Sequence, residues 1–248
     1  MATIDKHEVD LDPRGLGGLL PALRRLSPST VRDLLLVGLT VSSGAIDAIS
    51  FLALGKVFTA FMTGNIVFFG LSLAGAEGPD VLRLGVSLAA FAVGVLLAVR
   101  MLKASSGRAT WPRRVSIVLG IGLLAQAGFL AGWLAASGRP GTSAGDLLVA
   151  LYAVAMGLQS GAVLTLGVRG IFTTAATATV IILASDVAGS PEAATDKRRL
   201  AGVLLGLAAG AAAGGLLLVH ARELAPVLPL LATALVIVVA SLALRPPR

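Results

Sequence analysis

The sequence predicts an all-α protein: a polytopic transmembrane helical bundle of two internal repeats, inverted relative to each other, with six crossings and two short re-entrant or broken segments. Three observations predict it. Eight apolar runs recur along 248 residues, most of them long enough to cross ~30 Å of hydrocarbon at ~1.5 Å per residue. Apolar residues make up 56% of the chain and charged ones 13%, with a mean hydropathy of +0.91, which is more apolar surface than one water-soluble core hides. The third observation is where the basic residues fall between the runs.

Residues 1–30 are polar, carry Pro13, Pro21 and Pro28, and show no cleavable signal peptide. Leu16, Leu19, Leu20 and Leu23 share one helical face ahead of Arg24 and Arg25, so an interfacial helix and plain disorder are the two readings of this stretch. Thr30 with Asp33 resembles an N-cap signal for the first run, 34–55, which contains Asp47. The second run, 58–75, is marginal for a crossing. Glu77, Pro79 and Asp80 form a turn before the third run, 81–99, and a basic loop, 100–114, leads to the fourth, 115–136. A Gly, Pro and Ser-rich loop at 137–145 separates the halves. The fifth run, 147–167, is joined by a tight 168–170 link to the short sixth, 171–187; the seventh and eighth are 200–219 and 224–244. The chain divides into the N-terminal segment 1–30, transmembrane repeat 1 at 31–136, the connecting loop 137–145 and repeat 2 at 146–244.

The repeat rests on alignment. An offset of 112 places Gly55 on Gly167 and Asp47 on Gln159; an offset of 114 places Phe58 on Phe172, Thr63 on Thr177 and Asn65 on Thr179. The third runs also open alike, at Arg83-Leu84-Gly85 and Arg199-Leu200-Ala201-Gly202.

The bases decide the crossings. With all eight runs spanning, Lys and Arg split 12 to 8, and loop 100–114 falls outside. With runs two and six dipping back to the side they came from, 16 bases lie on one side, and only Lys56, Arg83, Arg139 and Arg222 on the other. Short cytoplasmic loops collect Lys and Arg, so six crossings are expected, with both termini cytoplasmic. An odd number of crossings per half inverts the halves, a recurrent plan in transporters. The alternative is eight crossings with parallel repeats.

Several function classes are excluded. A net charge of +7 sits in short clusters beside apolar runs, as topology signals against anionic headgroups and not as a nucleic-acid surface. There is no cysteine for disulfides or thiolate chemistry, only His7 and His220 as histidines, and no GxxxxGK[ST] phosphate loop, so no metal, cofactor or nucleotide is expected. An intramembrane enzyme lacks a nucleophile and base, and none is expected.

The candidate pathway residues are the polar ones that interrupt apolar runs. Asp47, with Ser43 and Ser50 on its face, reads as a proton- or cation-responsive group, because an ionisable side chain in hydrocarbon faces protein or water. Its bland reading is a helix–helix hydrogen bond. Thr63-Gly64-Asn65 reads as a helix break whose freed N–H groups would favour an anion or a substrate carboxylate; otherwise Gly64 is a packing notch. Gln159, Thr177 and Thr179 are the less polar counterparts. Gly202, Gly206, Gly210 and Gly214, spaced by four, form a ridge for close helix packing, within the chain or in a homo-oligomer.

The stretch from Asp47 through SFLALGKVFTAFMTGN to Asn65, and MGLQSGAVLTLGVRGIFTT from Met156 to Thr174, resemble the two signatures of the YoaK-like family. Ser160 stands where that family has Asn, and Ala178 where Gly would be placed. The resemblance covers about residues 31 to 244 and implies a multi-span bacterial inner-membrane protein; the family brings no activity with it. The expected function is a small-solute transporter or channel with a polar site at the repeat interface, coupled to a proton or cation. The rival is a membrane scaffold or accessory subunit.

Overall fold

The computed structural model describes residues 26–103, 110–168, 177, 179–181, 184 and 197–244. The N-terminal leucine face, the link at 169–170 and most of the sixth run lie outside these residues. The described chain is helical, and six helices are long and apolar enough to cross a membrane. They are α1 (Pro28–Ala53), α3 (Val81–Leu102), α4 (Arg113–Ala135), α5 (Thr142–Thr165), α6 (Lys197–His220) and α7 (Val227–Ala243), the last reaching crossing length together with the turn before it, as Arg222–Ala243. Between α1 and α3 lies the short α2 (Met62–Leu73), and a 3-10 turn, Arg222–Leu224, precedes α7.

Helix ends follow capping chemistry more than hydropathy. The α1 helix starts ahead of the expected cap at Thr30: Ser27 Oγ accepts the Thr30 N–H at 3.1 Å and Pro28 occupies the first turn, where its missing N–H costs nothing. The α5 helix likewise begins at Thr142, inside the expected connecting loop.

Side-chain ties fix the course of the chain. Arg83, at the start of α3, donates from Nη1 to Leu54 O at 3.1 Å just past α1, and from Nε to Asp146 Oδ1 at 2.6 Å in α5. The end of α1 and the starts of α3 and α5 therefore share one end of the bundle. Residues 55–80 leave and return at that end, and α2, about 18 Å long at 12 residues, is too short to cross. At the opposite end Arg199 of α6 meets Asp33 of α1 at 3.5 Å, and Arg114 of α4 donates to Met101 O of α3.

Two helices form the centre. In α1 and α5, 61% and 67% of the most apolar stretch is buried, against 22–39% in the other four. Each packs on a partner through small residues. The expected ridge finds its partner inside the chain: a Cβ on Gly210 would strike the Val41 carbonyl, one on Gly206 would lie 2.8 Å from Thr40 Oγ1, and one on Gly214 would lie 2.8 Å from Ala45 Cα, all on α1. The α3 and α5 helices meet equally closely, where Gly94 and Gly157 leave no space for a side chain against the other's backbone. Apolar clusters around Leu36, Leu119 and Ala162 and around Ile49, Phe129 and Tyr152 fill the interior. Between them Ser42 Oγ contacts Pro229 O at 3.1 Å and Thr233 Oγ1 at 3.0 Å, and Gln126 Nε2 reaches Thr233 at 3.2 Å.

Candidate functional site

The residues between α1 and α2 must abandon helix while still inside the apolar layer, and their backbone polar groups need partners there. Side chains supply them. Asp47 lies six residues, about 9 Å, before the end of α1. Its Oδ1 accepts the Thr59 and Ala60 N–H groups at 2.9 and 2.8 Å, and its Oδ2 accepts Phe61 N–H at 3.0 Å. These groups sit at the N-terminal end of α2, where a half-helix dipole and free donors favour a negative charge. The anion at this half-helix is the protein's own carboxylate.

Asn65, fully buried on the first turn of α2, holds the other arm. Its Oδ1 accepts Phe58 N–H at 2.9 Å, and its Nδ2 donates to Phe58 O at 2.6 Å and to Ser87 Oγ at 3.1 Å. Ser87 Oγ in turn donates to Phe58 O at 2.6 Å. Ser50 Oγ donates to Asp47 O at 3.2 Å and receives a long 3.4 Å bond from Thr59. The turn itself requires glycine: Gly55 has φ +87°, and a Cβ there would meet Arg83 Nη1 at 2.6 Å. At Gly64 a Cβ would press on the Phe58 and Phe61 rings, so its absence lets the two aromatics lie over the helix start.

The expected site residues thus separate. Asp47, Ser50, Gly64 and Asn65 converge on one hairpin, whereas Thr63 is exposed on its outer side. Gln159 is buried on α5 and donates to Leu39 O of α1 at 3.2 Å, about two turns from Asp47 toward the other end. Thr177 is exposed and Thr179 buried. Sequence reasoning missed Ser87, Arg83 and Asp146 as parts of this assembly. Ser87 was findable as the lone polar residue in the interior of the third run, whereas Asp146 beside a loop carried no such mark.

Beside the hairpin, between α1 and α6, lies a cleft of about 470 Å³. Its wall includes Ser43, Asp47, Phe51, Phe58 and Phe61, with Ala211 opposite. Phe51 and Phe58 stack at 4.9 Å between ring centres, and Phe61 meets Phe58 edge-on at 5.3 Å.

The family described as protein of unknown function (DUF1275) matches residues 35–241, from the first turns of α1 to the last turn of α7. The chain belongs to the DUF1275 family. A curated relative of this DUF1275 protein, the UPF0700 transmembrane protein YoaK of Bacillus subtilis (strain 168), is 32% identical over 164 residues, covering 66% of this chain and 71% of that one. No solved structure matches. Six apolar helices and a transmembrane relative make this DUF1275 member a multi-pass membrane protein in contact with the lipid bilayer.

Proposed function

We propose that this protein is a small-solute membrane transporter or channel whose two halves are inverted repeats that move against each other around the Asp47 hairpin. The observation that carries the reading is a pair of matching ion pairs at opposite ends of the bundle. Arg83 of α3 meets Asp146 of α5 at 2.6 Å at the hairpin end, and Arg199 of α6 meets Asp33 of α1 at 3.5 Å at the other. Offsets of 116 between the arginines and 113 between the aspartates exchange the two pairs, close to the offsets that align the halves. Helix partners exchange in the same way: α1 with α6 answers α5 with α3, and α1 with α7 answers α5 with α4. Inverted halves with a discontinuous segment at their meeting point suit alternating access. Each mouth then needs a tie that can break while its counterpart forms, and a partly buried ion pair provides one. At the hairpin end Arg83 also binds Leu54 O and Thr142 O, and at the other end Asp33 is shared with Arg32 at 2.9 Å.

Transport without a nucleotide motif would draw on an ion gradient, and Asp47 is the coupling residue proposed. A proton or cation that took over its oxygens would release three N–H groups and with them the hairpin. The basic end would face the cytoplasm of a bacterial inner membrane, with both termini inside. No enzymatic role is proposed. The scaffold reading loses its best surface, because α1 covers the glycine ridge within the chain.

The test is uptake of a solute panel into proteoliposomes. Flux above protein-free vesicles is expected, with Arg83→Ala and Asp47→Asn altering it; flux equal to empty vesicles across the panel, or unchanged by both variants, would remove the reading. Single cysteines at Lys56 and Glu77 should react with an impermeant reagent from one and the same side.

A further inference from the structure

The cleft beside the hairpin is built from two kinds of surface. Small residues, Ala48 on α1 and Ala211 on α6, leave the room, while Gly44 lets the two helices touch at its edge, and three phenylalanine rings line the hairpin side. Against this apolar wall stand two groups with unused acceptor capacity. Ser43 is fully buried and its Oγ has no hydrogen-bond partner. A serine in a helix ordinarily bonds back to the carbonyl four residues earlier. Here that carbonyl, Leu39 O, accepts the Gln159 amide. Asp47 Oδ1 carries two hydrogen bonds, but Oδ2 carries only the one from Phe61. A carboxylate accepts about four in all.

A buried acceptor without a donor is costly, so a ligand that brings N–H groups to this wall gains what the protein leaves unmade. We propose that the cleft binds an amphipathic amine. Its aromatic or alkyl body packs against Phe51, Phe58 and Phe61, and its ammonium donates to Ser43 Oγ and Asp47 Oδ2. Aromatic faces add attraction for the cation. A carboxylate ligand is rejected by Asp47, and a neutral apolar body leaves both acceptors unpaired. The inference deepens the transport reading by naming the substrate class of the cleft, and it rests on that reading for its role in the cell.

The test is equilibrium binding of labelled 2-phenylethylamine to the full chain in lipid nanodiscs, beside 2-phenylethanol and phenylacetate. Saturable amine binding is expected, roughly tenfold tighter than the alcohol, the scale of one charge-assisted bond. Phenylacetate should not compete. Ala48→Phe, which fills the cleft, should abolish binding, and the milder Ser43→Ala should weaken the amine several-fold. Equal affinity for amine and alcohol would overturn the proposal and assign the cleft to a neutral apolar occupant such as an acyl chain; amine binding unaffected by both substitutions would overturn it too. Amine binding without uptake would leave this inference standing and remove the transport reading, whereas uptake of other solutes without amine binding would do the reverse.

Discussion

Asp47 and Gln159, paired when the two halves of the sequence are aligned, lie on the two central helices, yet they serve different backbones. Asp47 reaches into a segment that has left the helix and satisfies three N–H groups with two oxygens. Gln159 touches only an intact helix: its amide finds Leu39 O, and its Oε1 stays without a partner. The difference teaches that the polar residues of this bundle follow where the chain breaks. A carboxylate is retained where several donors converge, and an amide suffices where one carbonyl is within reach.

The comparison is most open to breakage at Asp47. Asp47→Ala strips the partners from three buried donors, and about 3–5 kcal/mol of stability should be lost, read by SDS-titration unfolding in mixed micelles. A loss below about 1 kcal/mol would mean that water reaches the hairpin and that the carboxylate is not its clasp. Asn65→Leu removes both bonds to Phe58 and should cost about 2–3 kcal/mol in the same assay, with the hairpin becoming protease-sensitive near Lys56. Ser87→Ala leaves Phe58 O bonded to Asn65, so its cost should fall to about 1 kcal/mol. Gln159→Leu should be the smallest, within about 1 kcal/mol of neutral in either direction, because it removes an unpaired acceptor along with one bond. If Gln159→Leu matched Asp47→Ala, the two halves would rely on these positions equally and the contrast would collapse.

Much of the fold was legible because the membrane leaves few choices. Hydrocarbon demands long apolar helices, short runs cannot cross, and lysine and arginine gather on one side. These constraints act on composition and spacing, so a base count was enough to turn the run at 58–75 into a segment that returns. The candidate site was legible as residues and not as an arrangement. Asp47 and Asn65 were conspicuous as polar groups in apolar sequence, but so was Thr63, which faces outward. The direction in which a side chain on a 12-residue half-helix points depends on where that helix docks, and docking was not written in its own residues.

By itself the sequence determined the membrane class, the six long apolar helices found among the described residues, the short returning segment at 58–75 and the small-residue ridge, because each follows from length, hydropathy or local spacing along one chain. Only the tertiary structure decided that the half-helix anion site is filled by Asp47, that the ridge is covered by α1, and that Arg83 ties three helix ends together. These are choices among partners far apart in sequence. A buried donor or a bare glycine specifies that something must come close, and the packing of the whole bundle fixes which group does.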